Sequence, residues 1–208
     1  MGKLYTIGHS TVEQDFIIDL LVKYGIDYVY DVRSTPYSRY AEQFNRENIK
    51  YALIRHGIGY HYAGAYFGAR QEDEYLYNKE GYLDFNKVRQ SQKFNKGVEG
   101  VKRGLEQGHS IALMCTEKDP IDCHRAIMVA RGFELVKIPV EHILHDGKLQ
   151  SQHELNMRLL DMFHKDRQQL SLFDDDMSEE EYLEDSYAKR NKDIGFRIEN
   201  LLTKEAVG

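Results

Sequence analysis

Three adjacent residues in the middle of the chain, Cys123-His124-Arg125, combine a nucleophile with two basic groups. The preceding Asp119-Pro120 and Asp122 are typical of a helix start, so the triplet is expected near a helix N-terminus. The helix dipole lowers the pKa of a thiol at that position, which favours a nucleophilic thiolate. We therefore consider Cys123 as a covalent nucleophile and His124 as a general acid or base. The simpler alternative is a small, inert core cysteine.

A second thiol and a carboxylate precede this triplet. Cys115 ends an apolar run that is typical of a buried central strand, and Glu117 follows it. A carboxylate just past a strand end is a candidate general acid or base, although a solvated loop charge has the same sequence signature. The phosphatase pattern of Cys, five residues and Arg is not met, since Ile121 occupies the arginine position.

Zinc is an alternative use of the same side chains. Zinc binds cysteine sulfur and histidine nitrogen in a tetrahedral set, and catalytic sites keep one position for water. Cys115, Cys123 and His124 supply such donors, but their spacing matches none of the usual short zinc motifs. Three of the candidates, Arg33, Arg39 and Arg125, are cations that favour an anionic ligand over a metal ion. We therefore expect an anion-binding pocket with no metal and no other cofactor.

Further polar groups follow two strand-like runs nearer the N-terminus. The first run ends at His9-Ser10, and the second ends at Asp31, with Arg33 and Ser34 after it. Arginine binds phosphate through a forked set of donors. The alternatives are a structural salt bridge for Asp31 and a helix cap for Ser10. The complete candidate set has catalytic members Asp31, Glu117, Cys123 and His124, and ligand-binding members His9, Ser10, Arg33, Ser34, Arg39, Cys115 and Arg125.

These residues need elements that bring them to one place. Hydrophobic patterning predicts strands at Leu4-Tyr5-Thr6-Ile7 and at 26–32, 58–63, 110–114 and 140–144. Helices are predicted between them, over 16–24 behind a Ser10–Glu13 capping box and over 45–56, 85–107 and 151–164. This alternation implies a mostly parallel sheet with helices on both faces. Ligands bind such sheets beyond the carboxyl ends of the strands, so the polar strand ends are expected to converge on one pocket.

In this order, three segments resemble the family called domain of unknown function 488. The segments are Thr6-Ile7-Gly8-His9-Ser10, then Asp31-Val32-Arg33-Ser34-Thr35-Pro36 with Ser38-Arg39, then Cys115-Thr116-Glu117 followed by Cys123-His124-Arg125. The resemblance covers residues 3–145, with Gly57-Ile58-Gly59-Tyr60 and Phe67-Gly68-Ala69-Arg70 in its middle. The family's usual Leu-Gly-Gly is Phe67-Gly68-Ala69 here. The resemblance implies a Rossmann-like α/β fold in three layers and no established reaction.

Composition favours one globular domain with a polar extension. The chain has 208 residues, of which 41% are hydrophobic and 30% are charged, and its net charge is −6. No apolar run reaches the roughly 18 residues of a membrane span, and the N-terminus does not resemble a signal peptide. The two cysteines make no disulfide framework. We therefore expect a cytoplasmic protein without a membrane partner.

The overall negative charge conceals a basic segment. Residues 33–70 contain six basic and two acidic side chains, and nine of the fifteen tyrosines lie between residues 36 and 82. Aromatic rings stack on bases of any sequence, and basic side chains bind the phosphate backbone. The segment therefore indicates a groove for nucleic acid or a nucleotide. The alternative is an ordinary half-buried layer of tyrosines.

The composition changes at residue 166, where an acidic segment begins. We therefore divide the chain into an α/β domain, 1–165, and a C-terminal segment, 166–208, with a peripheral helix expected over 181–203. The segment contains Gln169-Leu170-Ser171-Leu172-Phe173, which resembles the pentapeptide that docks bacterial replication and repair proteins on the DNA polymerase sliding clamp. Leu172 and Phe173 suit an apolar pocket with Gln169 at its rim. The alternative is that Leu170 and Phe173 pack on the domain itself.

These features favour an enzyme that acts on nucleic acid or a nucleotide in DNA repair or replication and is recruited by the clamp. Glu117 and His124 are the expected acid–base residues, and Arg33, Arg39 and Arg125 are the expected phosphate contacts. A second hypothesis is a sensor that binds the same ligands without turnover. A third is a thiol- or metal-dependent enzyme for small molecules, unconnected to DNA.

Overall fold

The computed structural model of the protein describes residues 1–165 and 177–198. Its strands form one six-stranded sheet with the order β3-β2-β4-β1-β5-β6. The strands are β1 (Leu4–Gly8), β2 (Tyr28–Asp31), β3 (Gly59–Tyr62), β4 (Ile111–Cys115), β5 (Val140–Ile143) and β6 (Leu149–Ser151). Neighbouring strands pair in parallel, except that β6 runs antiparallel to β5 at one edge. The mostly parallel sheet predicted from the sequence is confirmed, and the short strand β6 was not predicted.

Helices cover both faces of this sheet. They are α1 (Gln14–Lys23), α2 (Arg46–Arg55), α3 (Gly64–Phe67), α4 (Phe85–Gln90), α5 (Gln92–Glu106), α6 (Arg131–Leu135), α7 (Gln152–Phe163) and α8 (Glu179–Ile194). Ile17 and Leu53 of α1 and α2 are buried against one face. Val101 and Phe133 of α5 and α6 are buried against the other. The two apolar clusters enclose the sheet and make a Rossmann-like, three-layer α/β fold.

The predicted helix over 85–107 is two helices. Ser91 interrupts it with an extended backbone (φ −69°, ψ 148°), and its Oγ accepts a hydrogen bond from the Phe94 N–H at 3.1 Å. This hydrogen bond satisfies a free N–H group at the start of α5, which stabilises the new helix end. Ser91 is therefore the N-cap of α5, although it lies inside a continuous apolar pattern of helical period.

The predicted capping box of Ser10 and Glu13 is wrong. Glu13 precedes α1 with no side-chain cap, and Ser10 has a positive φ of 51°. The Ser10 N–H donates to the Thr116 carbonyl at 2.7 Å, so the residue extends the contact between the loops after β1 and β4. A long-range backbone hydrogen bond thus replaces the expected local one.

The segment after β4 is irregular. A 3-10 turn, Pro120–Asp122, is followed by Cys123 in extended conformation and then by a π-helical stretch, Arg125–Ala130, that continues into α6. All six residues of the π-helical stretch are buried. Stretches of this kind are rare and occur frequently at functional sites, because they change the direction in which side chains project.

Helix α8 packs on the rest of the protein. It begins at a capping box formed by Ser178 and Glu181. Tyr187 of this helix is buried, donates to Oδ1 of Asn156 at 2.5 Å and accepts from Nε2 of Gln152 at 2.7 Å. The clamp-like pentapeptide, 169–173, lies outside the described residues. Across the described ranges, none of the helices combines the length and the apolar character that crossing a bilayer requires.

Candidate active site

The carboxyl ends of β1, β2 and β4 lie side by side, because β4 runs between β2 and β1. In the register of the sheet, Gly8 is opposite Cys115 and Asp31 is opposite Met114. The pairing continues past the strands, where the His9 N–H donates to the Cys115 carbonyl at 2.9 Å. The polar residues that follow these strands therefore meet at one edge of the sheet, as the strand pattern predicts.

Two thiols, a carboxylate and an imidazole form a compact group at this edge, which we call the sulfur cluster: Cys115, Glu117, Cys123 and His124. Oε2 of Glu117 is 2.9 Å from the Cys123 sulfur and 3.3 Å from the Cys115 sulfur. Nδ1 of His124 is 3.7 Å from the Cys115 sulfur and 4.0 Å from the Cys123 sulfur. Both cysteines are buried, whereas Glu117 is exposed. The cluster therefore reaches bulk water through Glu117.

The helix start orients Cys123 and His124. His124 is the residue before the π-helical stretch, so the predicted place of the triplet at a helix start is confirmed. The Arg125 N–H lies 3.5 Å from the Cys123 sulfur. Nε2 of His124 is 3.2 Å from the Val32 carbonyl, which can only accept a hydrogen bond. Nε2 therefore carries a proton, and Nδ1 faces the two sulfurs.

Arg125 is a fully buried arginine that holds the loop after β4. Its guanidinium donates to the Glu117 carbonyl at 2.5 Å and to the Lys118 carbonyl at 3.0 Å. A Cβ atom at Gly8 would meet the Glu117 carbonyl at 1.8 Å and the guanidinium at 2.9 Å. Glycine is thus needed at position 8 because this loop approaches the end of β1 so closely. Arg125 positions the Glu117 backbone and, through it, the sulfur cluster.

A second polar group is built on the end of β2. The Arg33 guanidinium forms a forked pair with Asp31, at 2.6 Å to Oδ2 and 2.8 Å to Oδ1. Nη1 of Arg33 donates to Nε2 of His9 at 3.0 Å, so Nδ1 of His9 donates to the Ser10 carbonyl at 2.7 Å. The Tyr60 hydroxyl donates to Asp31 at 2.8 Å. Burial and the charge of Arg33 lower the pKa of His9 to about 4, so this imidazole is neutral at neutral pH.

The three arginines predicted to contact phosphate lie in different environments. Arg33 and Arg125 are buried and donate to groups within the protein. Arg39 is exposed and, within the described ranges, makes no hydrogen bond or ion pair with either polar group. Ser34 is half-buried, and its Oγ accepts a hydrogen bond from the Arg70 N–H at 2.8 Å. Of the three predicted phosphate contacts, Arg39 is therefore the one with its side chain exposed to solvent.

Exposed basic and aromatic side chains lie beside the ends of β2 and β3. We call them the edge surface: Tyr37, Arg39, Tyr40, Arg46 and Arg70. Tyr37 is 69% exposed and Tyr40 is 91% exposed. The Arg46 guanidinium lies 5.0 Å from the ring centre of Tyr62, the last residue of β3. The edge surface thus combines positive charge with rings that are free to stack.

These motifs and their order identify the family. The model of the family described as "Domain of unknown function DUF488" matches residues 13–131. The chain belongs to the DUF488 family. The matched span contains Asp31, Arg33 and the sulfur cluster, and it begins after His9 and Ser10. No curated protein and no solved structure matches the chain. Membership of DUF488 names no reaction, so the chemistry has to be argued from the site.

In this DUF488 protein an open cleft of about 820 Å³ adjoins the sulfur cluster. Its lining residues are Glu117, Lys118, Asp119, Asp122, Leu144, His145, Asp146 and Arg158. Nε2 of His145 donates to the Gly8 carbonyl at 2.7 Å, close to the loop that carries Glu117. His145 was not among the residues predicted from the sequence, although it follows β5 as His9 follows β1, so the same strand-end pattern could have found it. Arg158, which pairs with Asp119 at 2.8 Å, had no such signal.

The protonation states within the sulfur cluster are coupled. Interaction with Cys123 and burial raise the pKa of the Cys115 thiol well above its usual value. Burial also raises the pKa of Cys123, but its interactions with Cys115 and Arg125 outweigh burial, and the pKa lies well below the usual value. Glu117 is exposed as a residue, but its carboxyl group is turned toward the two thiols, and this burial together with Cys123 raises the pKa of that group. Cys123 is therefore the more acidic of the two thiols.

Proposed function

We propose that this protein is an enzyme that acts on nucleic acid or a nucleotide at the carboxyl edge of its sheet. One observation carries the proposal: the sulfur cluster and the edge surface follow neighbouring strands and share that edge. The sulfur cluster supplies groups for nucleophilic and proton-transfer chemistry. The edge surface supplies what a phosphate-bearing, base-bearing ligand needs, namely exposed arginines and exposed rings.

The geometry favours a distinct contribution from each part of the site. Glu117 is exposed and contacts both thiols, so it is the proposed route for protons between the cluster and solvent. His124 is the second proposed acid or base, and Cys123 is the nucleophile if the reaction passes through a covalent intermediate. Asp31 and Arg125 are buried and bonded within the protein, which makes them positioning residues.

Reversing the charge of the edge surface is expected to weaken nucleic-acid binding about tenfold or more at low salt. The variant Arg39→Glu with Arg46→Glu replaces two exposed cations by anions, which repel the phosphate backbone and remove counterion release. The slope of log affinity against log salt is expected to fall by about one for each cation that no longer neutralises a phosphate. Fluorescence anisotropy with a labelled single-stranded oligonucleotide, measured over a series of salt concentrations, tests both expectations.

A matched control changes the net charge equally at the opposite edge of the sheet. Lys3→Glu with Lys137→Glu does this, since both exposed lysines precede the amino ends of strands β1 and β5. The control is expected to retain the wild-type affinity and salt slope. An equal loss of affinity in the two variants would show that the overall charge, and not the edge surface, controls binding. No binding of DNA, RNA or nucleotide by the wild-type protein would end the proposal.

Turnover separates an enzyme from a sensor. Wild-type protein and Glu117→Gln are incubated with those oligonucleotides and nucleotides that bind, and the products are identified by mass spectrometry. A product formed by wild type and lost in Glu117→Gln supports the enzyme. Retained affinity without any product supports the non-catalytic sensor. Thiol-dependent conversion of small molecules without nucleic-acid affinity would favour the third hypothesis, an enzyme unconnected to DNA.

The pentapeptide at 169–173 is the proposed link to DNA repair or replication in the cytoplasm, through the polymerase sliding clamp. Replacing Leu172 and Phe173 by alanine is expected to abolish clamp binding, because these side chains are the apolar anchors of the motif. The thermal midpoint of unfolding is expected to stay unchanged. Isothermal titration calorimetry with a purified bacterial clamp measures the first effect, and calorimetric unfolding measures the second.

Ser171→Ala provides the matched control inside the same pentapeptide, since the serine precedes the two anchors and is not one of them. It is expected to bind the clamp as wild type does. A midpoint that falls by several degrees in the double variant would mean that Leu172 and Phe173 pack on their own domain, as 1–2 kcal/mol shifts a domain of this size by roughly that much. Wild-type protein that does not bind the clamp would remove the recruitment proposal.

A further inference from the structure

We propose that Cys115, Cys123 and His124 bind one divalent metal ion of the zinc class, with a fourth position open toward Glu117. The three donor atoms, two Sγ and Nδ1, all lie within 4.8 Å of one another. In a tetrahedral zinc site, bonds of about 2.3 Å to sulfur and about 2.0 Å to nitrogen put sulfur and nitrogen about 3.5 Å apart. The corresponding separations here are 3.7 and 4.0 Å. These two sulfur-to-nitrogen separations therefore exceed the expected value by only a few tenths of an ångström.

The orientation of His124 is the one that a metal ligand needs. A metal-binding imidazole almost always donates its second N–H to a carbonyl or carboxylate, which sets the tautomer and the direction of the ring. Nε2 of His124 does so to the Val32 carbonyl at 3.2 Å. Nδ1 is thereby directed at the two sulfurs, where it can bind an ion when it carries no proton. Val32 follows β2, whereas Cys115 ends β4, so the pairing of these two strands fixes the ring relative to the cysteine.

The surroundings of the two cysteines suit a cation as well. Cys115 and Cys123 are 3% and 1% exposed, and Oε2 of Glu117 lies 3.3 and 2.9 Å from their respective sulfurs. Both thiols donate to this one oxygen in a site largely removed from water, so the same two sulfurs would face a divalent ion once their protons leave. Glu117 is exposed, which leaves a path by which an ion can enter.

The fold explains why the sequence spacing argued against zinc. Short zinc motifs present both cysteines from one tight turn. Here Cys115 ends β4, whereas Cys123 follows the Pro120–Asp122 turn and precedes the π-helical stretch. The loop between them is held back against the sheet by Arg125. The donors therefore come from a strand end and a helix start, a pairing that only the tertiary structure reveals.

An ion in this position would give the site hydrolytic chemistry. A water molecule in the fourth position would lose a proton to the Glu117 carboxylate, with the O–H bond broken and the hydroxide left on the metal as nucleophile. One histidine and two cysteines are also a ligand set of the zinc deaminases, in which a glutamate that is not a ligand moves the proton. The metal site stands by itself, but its use on a nucleobase or phosphate ester rests on the function proposed above. With the ion bound, Cys123 and His124 would be ligands, so Glu117 alone would carry the acid–base role.

The test uses the full-length, reduced protein, from which metal is removed by a chelator. Zinc is titrated against a chromophoric chelator, and cobalt is added separately to observe the sulfur-to-cobalt absorption band. We expect one ion per chain and a cobalt band that is lost in Cys115→Ser and in Cys123→Ser, with zinc affinity reduced about 100-fold or more. Glu117→Gln is expected to keep the stoichiometry and the band. His153→Asn, an exposed histidine on α7, is the control.

The outcomes separate the metal site from the proposed function. Folded wild-type protein that takes up neither zinc nor cobalt would overturn the metal site. A cobalt band that persists when both cysteines are replaced by serine would also overturn it. Circular dichroism shows whether the variants fold, and protection of the wild-type thiols from alkylation by zinc gives a second readout that needs no variant. Metal binding without nucleic-acid affinity would leave the site standing and the proposed function refuted.

Discussion

Replacing Asp31 by alanine is expected to lower the free energy of unfolding by about 3–5 kcal/mol, because it leaves a buried guanidinium without its anion. The side chains of Asp31 and Arg33 are 0% and 6% exposed, and they form two hydrogen bonds of 2.6 and 2.8 Å. Burial alone lowers the pKa of Arg33, but the hydrogen bond and charge of Asp31 more than offset it, so the pKa is raised. The native protein therefore depends on this pair to keep the cation in its core.

Urea unfolding of wild type and Asp31→Ala at neutral pH measures this loss directly, and the thermal midpoint is expected to fall by about 10 °C. Asp146→Asn is the control, since it removes an exposed ion pair of 3.3 Å with Lys148 but keeps the oxygen that accepts from the Lys148 N–H at 3.0 Å, and it is expected to leave the midpoint unchanged. A double variant, Asp31→Ala with Arg33→Met, is expected to recover part of the stability because no buried charge remains unpaired. A midpoint in Asp31→Ala as high as in the control would show that the pair contributes nothing.

A large stability effect would support a structural role for Asp31. The sequence offered two interpretations of this carboxylate, a catalytic group and a structural salt bridge. The structure surrounds it with Arg33 and with the Tyr60 hydroxyl at 2.8 Å, and it has no exposed surface. A carboxylate held in this way is available to Arg33 and not to a ligand, so the geometry favours the structural interpretation.

The sequence predicts the sheet edge well because the relevant pattern is local. Apolar runs followed by polar residues identify the ends of β1, β2 and β4, and the parallel topology then requires those ends to meet. The ion pair also had a local signal. Asp31 and Arg33 are two residues apart, and side chains at that spacing in extended chain point to the same face. The sequence therefore indicates Asp31 as the partner of Arg33, but it gives no such indication for the partners of Arg125.

The other features of the site depend on contacts between residues that are distant in the sequence. Arg125 donates to carbonyls of the loop after β4, and carbonyl acceptors leave no trace in composition or spacing. Tyr60 reaches Asp31 from the neighbouring strand, and Ser10 bonds to Thr116. The π-helical stretch after His124 has the residue pattern of an ordinary helix, so the sequence predicts a helix start there but not its geometry. Such features are decided by tertiary packing.

Acidification from pH 7 to pH 5 is expected to lower the free energy of unfolding by about 2 kcal/mol through His142 alone. This histidine on β5 is fully buried, and burial together with the charge of Arg125 lowers its pKa to about 3. Its Nε2–H donates to Oε1 of Gln152 at 2.8 Å, and Nδ1 accepts from the Thr6 hydroxyl at 2.8 Å. The hydrogen bonds therefore suit the neutral imidazole.

The direction follows from which state binds the proton. The unfolded chain protonates this histidine below about pH 6.5, whereas the native protein does so only near pH 3. Between these values the unfolded state holds more protons, so stability falls as the pH falls, and the loss from this group stops below the native pKa. His9, with its pKa lowered to about 4 by burial and Arg33, adds a loss of the same sign over a narrower range.

Urea unfolding at pH 7 and pH 5 for wild type and His142→Asn isolates this contribution. The variant is expected to be less stable at pH 7, since it loses a well-packed ring, yet its difference between the two pH values is expected to be about 2 kcal/mol smaller. His153→Asn removes an exposed histidine from the same protein and is expected to keep the wild-type difference. Because the comparison is between two pH values within each variant, the packing loss cancels. A His142→Asn difference equal to that of wild type would mean that the native protein protonates this imidazole as readily as the unfolded chain does, and that the acid sensitivity of the fold has another source.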